Sequence, residues 1–223
     1  MNRRLALGLL TTLLFTPSLA VADDPWPILA RIDFKDGDRT RWSFSDPKAF
    51  GFVDHDKGKA LAIIGKSSLK PKHRSPLLYA LLERPIVDDF QLDVRMKSTV
   101  KDYAHRDLCV FFGFQDPDHY YYAHMAKAAD PHAHSIFLVN GADRVSIAKD
   151  RTKGVEWGDV WRKIRVVRKA PEIAVYFDDM EKPVMTATDG TFKWGKVGVG
   201  SFDDAGWYDD FVLKGVEHKP DAK

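Results

Sequence analysis

Residues 116–135 read DPDHYYYAHMAKAADPHAHS and set three consecutive tyrosines among four of the chain's eight histidines, His119, His124, His132 and His134. These residue types support several chemistries. A His–Tyr pair can take and return a proton on an acidic sugar while arginine neutralises the carboxylate. His124, Tyr122, His105 and Asp107 are the catalytic candidates on that reading, with Arg106 and Arg74 as the cations. His132-x-His134 puts two imidazoles on one side of an extended segment. With His124 or His105 added they would make a three-histidine zinc site with an open position. No H-E-x-x-H or cysteine pair supports zinc. A Cys109–His124 nucleophile dyad is a third arrangement, but large apolar neighbours would quieten the thiol. Plain binding is the fourth: sugar rings stack their C–H faces on Tyr or Trp while His, Asp and Arg bond the hydroxyls.

The elements that must position these groups read as strands. DLCVFFGF, QDPD and HYYYAHMA form a hairpin in which a four-residue loop sets Phe114 opposite His119. Leu108, Val110, Phe112 and Phe114 then share a face with Met125, Ala123, Tyr121 and His119, the better core face. Asp107, Cys109, Phe111 and Gly113 share the other with Ala126, His124, Tyr122 and Tyr120. That mixed face is the expected ligand surface, with Gly113 leaving room beside Tyr120. The ligand-binding set is Tyr120, Tyr122, His124, Arg106, Arg74, His132 and His134, with Trp207 in DDAGWYDD as an exposed stacking platform. A slip of one residue would exchange the two faces.

Turn residues recur every eight to twelve positions along the rest of the chain, the spacing of a sandwich or barrel. Alternating runs include FQLDVRMKS, WRKIRVVRK and IAVYFDD. SPLLYALLER is short enough between Pro76 and Pro85 to be a strand or a brief helix. The fold class is therefore all-β, an antiparallel two-sheet jelly-roll sandwich, whose first strand (RIDF, 31–34) and last strand (YDDFVLKG) pair. Asp33 or Asp36 would then meet Asp209 or Asp210 at the closure, where carboxylates can hold a structural calcium ion. No other cofactor is indicated.

The N-terminus carries a secretory pattern: Arg3 and Arg4, an apolar run at 5–15, and Ala20-Val21-Ala22 as a cleavage site. Residues 1–22 are expected to be a signal peptide, 23–216 one domain and 217–223 a disordered tail, with the product periplasmic or extracellular. The 34 basic residues less Arg3 and Arg4 equal the 32 acidic ones. Such a balance argues against nucleic acid and against electrostatic docking on membrane after signal removal. Cys109 is the one cysteine, so no internal disulfide forms. The residues carry no signal of oligomeric state.

Three segments, FFGFQDPDHYYYAHM, WRKIRVVRKAPEIAVYFDD and FKWGKVGVGSFDDAGWYDDFVLKG, resemble the concanavalin A-like lectin/glucanase superfamily. Within it the chain is similar to the bacterial 3-keto-disaccharide hydrolase-like (family-16-like) domains. The resemblance implies carbohydrate as the partner class. It departs at one point: the E-x-D-x-E of true family-16 hydrolases, which sets two carboxylates on one strand face, is absent. The glutamates at 83, 156, 172, 181 and 217 never fall in that spacing. A secreted glycan-binding domain is the favoured expectation. A glycoside hydrolase or lyase using His, Tyr and Asp on the same face is the alternative, and a purely structural envelope role has no feature in its favour.

Overall fold

The computed structural model describes residues 26–219; the expected signal sequence and residues 220–223 lie outside the described residues. Every regular element among the described residues is a β-strand. In chain order these are β1 (Ile28–Ile32), β2 (Trp42–Phe44), β3 (Phe50–His55), β4 (Gly58–Ile63), β5 (Leu78–Leu82), β6 (Val87–Ser98), β7 (Asp107–Asp116) and β8 (His119–Ala126). The second half adds β9 (Ser135–Asn140), β10 (Val145–Ser146), β11 (Ala148–Arg151), β12 (Arg162–Lys169), β13 (Glu172–Phe177), β14 (Met185–Thr188), β15 (Lys196–Ser201) and β16 (Gly206–Glu217).

The strands form two antiparallel sheets. One runs β11-β14-β13-β12-β6-β16-β4-β3, with β1 paired to β16; the other runs β10-β9-β8-β7-β15-β5-β2. The expected closure of first strand on last is present, although the first strand starts earlier, at Ile28. It stops before Phe34, which turns away with φ 55. SPLLYALLER resolves as the strand β5. The chain also stays in the fold beyond residue 216: Glu217 ends β16, and His218 lies 2.7 Å from Asp88 and stacks on Trp194.

Alternation decides which side chains meet between the sheets, because successive strand residues point to opposite faces. Phe90, Leu92, Val94 and Met96 of β6 face Leu108, Val110 and Phe112 of β7 in one buried cluster. Tyr121, Ala123 and Met125 of β8 join it. Each such large side chain contributes roughly 1.5–3 kcal/mol on burial.

The opposite face of the seven-stranded sheet corrects the expectation of an open aromatic surface. Tyr79, Leu81, Cys109, Phe111, Phe114, Tyr120, Tyr122, Phe137 and Val139 form a second buried cluster, against which Leu69 packs. Residues 65–76, which have no regular structure, cross this face. They are tied down by Ser68 to Asp46, by the Arg74 amide to Asp143, and by the Arg144 amide to the Arg74 carbonyl. Tyr120 and Tyr122 are fully buried and present no platform to a ligand.

The hairpin register is as expected from Asp107↔Ala126 to Phe112↔Tyr121, and then it shifts. Asp116, not Phe114, pairs with His119, so the loop is two residues long and β7 carries a bulge. Residues 113–115 lie opposite Tyr120 alone, two residues in excess, and Gly113 opens the bulge at φ 56, a left-handed conformation that suits glycine. Phe114 consequently changes face and stacks on Tyr120 at 4.8 Å. What approaches at Gly113 is the backbone of residue 195: a Cβ on Gly195 would lie 2.2 Å from the Gly113 carbonyl carbon.

Candidate functional site

The aromatic second core ends at one edge in a cavity of about 210 Å3, lined by Arg74, Tyr103, His105, Asp107, His124, His132, Arg144, Phe202 and Asp203. Asp107 and His124 make its floor. They come from paired strands two residues out of register, a diagonal on one face: Asp107 is two residues before Cys109, the partner of His124. Their nearest atoms, Asp107 Oδ2 and His124 Nε2, are 3.3 Å apart, and both side chains are buried.

The other carboxylate oxygen of Asp107 accepts from the Ser201 hydroxyl at 3.0 Å and the Phe202 amide at 3.1 Å. Burial works to raise the Asp107 pKa, but the His124 ring, the Phe202 amide and the Ser201 hydroxyl together hold it below the usual value. Its neighbours move the other way. Burial, and then the Asp107 charge, raise the Asp203 carboxyl. Asp204 is pushed up to about 6, chiefly by burial, although it accepts hydrogen bonds from the Asp107 amide and the Tyr103 hydroxyl.

Arg144 builds the wall. It donates to the Tyr122 hydroxyl at 2.6 Å and to the His132 carbonyl at 2.7 Å. Its guanidinium lies over the rings of Phe137 (4.7 Å) and Phe202 (4.3 Å). Phe202 also stacks on His124, with centroids 6.1 Å apart. At the rim, His105 Nε2 lies 2.6 Å from Asp130, whose other oxygen accepts from the His132 amide at 2.6 Å. Arg74, His105, His132 and Asp203 are exposed there. The cavity is thus lined by two guanidiniums, two carboxylates, the floor imidazole and two rim imidazoles, with the rings of Phe202 and Tyr103.

Five sequence candidates converge here: Arg74, His105, Asp107, His124 and His132. The other five, Tyr122, Tyr120, Arg106, His134 and Trp207, do not line it. Tyr122 contributes only through its bond to Arg144, and Tyr120 is core. Arg106, adjacent to Asp107 on an extended chain, points to the other side and donates to the Ser98 hydroxyl and to the carbonyls of Ser98 and Gly158. His134 is fully buried, with Nε2 at 2.9 Å from the Thr152 hydroxyl. Its φ of 52 breaks the alternation that would have kept it beside His132, so the two do not form a zinc pair. Trp207 lies on the nine-stranded sheet, 6.4 Å from Trp161, with the Lys97 ammonium 5.3 Å from its ring.

At the closure of the sandwich three of the four expected calcium ligands have a cationic partner. Asp33 pairs with Lys35, Asp209 with Arg95 and His55, and Asp210 with Arg95. Among the described residues, one group of three His, Cys, Asp or Glu side chains brings a ligand atom from each within 4.8 Å of the others: Asp107, Cys109 and His124. Tyr103, Arg144, Phe202 and Asp203 line the cavity and are not among the residues expected there; they arrive on three loops by tertiary packing, with no local motif to mark them.

Fold and site together define an antiparallel two-sheet sandwich with a small polar cavity at one edge of its seven-stranded sheet. Solved structures share that architecture. The carbohydrate-binding module CBM66 from Bacillus subtilis aligns with 18% identity and a TM-score of 0.55, covering 78% of this chain and 96% of its own. Domain 4 of AbnA, an extracellular GH43 arabinanase from Geobacillus stearothermophilus solved with arabinotriose, aligns with 11% identity and a TM-score of 0.57, covering 87% and 95%. A cellulose-induced protein, Cip1, aligns with 10% identity and a TM-score of 0.56, covering 86% and 99%. At these identities the likeness is one of fold. No protein-family model and no curated protein sequence matches the chain.

Proposed function

We propose that the protein is an exported carbohydrate-binding domain that takes a sugar residue into the cavity floored by Asp107 and His124. The observation that carries this reading is the convergence of Arg74, Arg144, His105, His132, Asp107 and Asp203 around the Phe202 ring. Charged and polar donors arranged about one aromatic face are what a pyranose or furanose requires. The shared sandwich, found in a carbohydrate-binding module and in a domain solved with arabinotriose, supports the same ligand class. Size narrows it. The cavity of about 210 Å3 falls below the roughly 300–1,000 Å3 of sites for drug-sized ligands. It suits a single sugar residue or a chain end rather than a run of sugars.

A glycan array followed by calorimetry tests this. Hits should weaken in Arg74→Ala and Asp203→Asn, which leave the core untouched. An array without hits, or hits indifferent to both variants, would sink the proposal.

A second reading rests on the carboxylates. Asp107 is held low while Asp203 is raised in the same cavity, and paired acids with divergent environments are the material of acid–base catalysis. Product analysis with any hit glycan separates the readings: cleavage lost in Asp203→Asn supports an enzyme, and an intact glycan supports a binding module.

A further inference from the structure

Behind the cavity floor lies a thiol that carbohydrate binding does not use, and with the two floor residues it makes a cluster. Asp107 and Cys109 occupy alternate positions of β7, so both point to the same face. His124 sits directly opposite Cys109 on β8. All three residues are at most 3% exposed. Both ring nitrogens of His124 are buried without a hydrogen-bond partner, since the nearby Asp107 oxygen is off the line a hydrogen bond needs. An imidazole so placed is unusual, because buried polar groups are ordinarily satisfied.

We propose that Asp107, Cys109 and His124 form a binding site for one borderline-soft divalent cation of the zinc class. Distances favour it. Asp107 Oδ2 and His124 Nε2 are 3.3 Å apart. Asp107 Oδ1 and Cys109 Sγ are 3.6 Å apart. Ligands about 2.0–2.3 Å from a tetrahedral zinc ion stand roughly 3.3–3.7 Å from one another, so the Asp107–His124 edge is already at length, while the sulfur contact is to the other carboxylate oxygen. With one ligand atom from each residue, all three lie within 4.8 Å of one another, and small rotations of the Asp107 carboxylate and the imidazole bring the remaining edges to length.

Charge favours it too. Carboxylate and thiolate together neutralise a dication, so the buried cluster carries no net charge. A sulfur–nitrogen–oxygen set selects zinc or cobalt over calcium and magnesium, which take oxygen ligands. On binding, the cation replaces the thiol proton of Cys109, which leaves to solvent. Asp107 and His124 line the cavity and Cys109 lies behind them. The fourth position therefore opens into the cavity, where water or a ligand oxygen completes the tetrahedron. The site stands on these three side chains and does not require that the cavity bind sugar.

Cobalt is the probe. Purified protein is stripped with chelator and titrated with Co2+. Tetrahedral cobalt with a sulfur ligand shows strong visible bands and a near-ultraviolet thiolate charge-transfer band. Because Cys109 is the chain's one cysteine, that band in the wild type assigns the ligand without any variant. The expected result is saturation at one cobalt per chain, displacement by Zn2+, and a metal-dependent rise in Tm. Cys109→Ser should lose the charge-transfer band, and His124→Ala the tight stoichiometric binding. No charge-transfer band in the wild type at millimolar Co2+ overturns the proposal. So does a spectrum unchanged in Cys109→Ser. Glycan binding is measured on the same stripped and loaded samples, so a failure of either idea is read separately.

Discussion

Tyr122 is the residue at which a buried aromatic core and an exposed sugar platform predict opposite behaviour. Its hydroxyl accepts from Arg144 at 2.6 Å, and its ring stacks between Phe111 and Phe137 at 5.8 and 5.2 Å. Tyr122→Phe keeps the stacking and removes the acceptor. Arg144 Nε already lacks a partner, so the guanidinium would keep one side-chain-to-carbonyl bond, to His132. A hydrogen bond to a charged group contributes about 1.5–3 kcal/mol. A domain of this size loses about 2–4 °C of Tm per kcal/mol, so the expected drop is roughly 3–12 °C. Tyr122→Ala removes the ring as well and should cost about 3–5 kcal/mol, as other aromatic truncations in cores do. Urea unfolding of the two variants measures both, with an unchanged slope showing that only stability moved. A platform exposed to ligand would behave in the opposite way. If Tyr122→Ala unfolds at the wild-type urea midpoint, the second core is not as described.

Other consequences can be checked independently. Arg74→Ala and Asp203→Asn should each lose about 10- to 100-fold in glycan affinity by calorimetry, the loss of a charge-assisted bond. Their stability should stay within about 0.5 kcal/mol of wild type. Burial, and then the positive charge of neighbouring groups, lowers the His134 pKa to about 4 from 6.5. Below 6.5 the unfolded chain binds the proton more readily, so His134 contributes stability that is present above pH 6.5 and lost as pH falls towards 4. Asp204 has the reverse sign: raised to about 6 from 3.8, it favours the folded state below about pH 4 and loses that contribution as pH rises to 6. Each is about 3 kcal/mol at most, and the two oppose each other in one window. Urea midpoints across pH 4–7 should therefore tilt one way in His134→Asn, whose side chain tolerates the left-handed backbone, and the other way in Asp204→Asn; parallel profiles would count against both. Gly113→Ala forces a Cβ to 3.0 Å from the Tyr121 ring at φ 56, and should cost about 1–2 kcal/mol or more in thermal unfolding.

The architecture could be read from the chain because period-two alternation is a local signal. FQLDVRMKS and WRKIRVVRK declare their inner faces, and the pairing of Cys109 with His124 followed from counting back along a hairpin. The count failed where Gly113 took a left-handed conformation, since nothing in FFGFQDPD says whether the loop has two residues or four. The aromatic face was found but not its cover. Residues 65–76 have no periodicity, and only the packing of Leu69 and the ties at Ser68 and Arg74 show that they cross the sheet. His134 was misplaced for a related reason: alternate residues share a side only while the backbone stays extended, and its φ does not. Arg144 and Phe202 reached the site over long sequence distances, which no local pattern encodes.

The position of β16 governs when this molecule can exist at all. It pairs with β6, β4 and β1, so the centre of the larger sheet is built from the end of the chain. β15, just before it, joins β5 to β7 in the other sheet. A polypeptide emerges N-terminus first, from a ribosome or from a translocation channel. Until residues 196–217 appear, β1 and β4 lack this partner and the smaller sheet is split between β5 and β7. Both sheets are stitched by the same late pair of strands, so folding waits for β15 and β16, and a chain stopped near residue 195 leaves two open sets of strand edges exposed to aggregation.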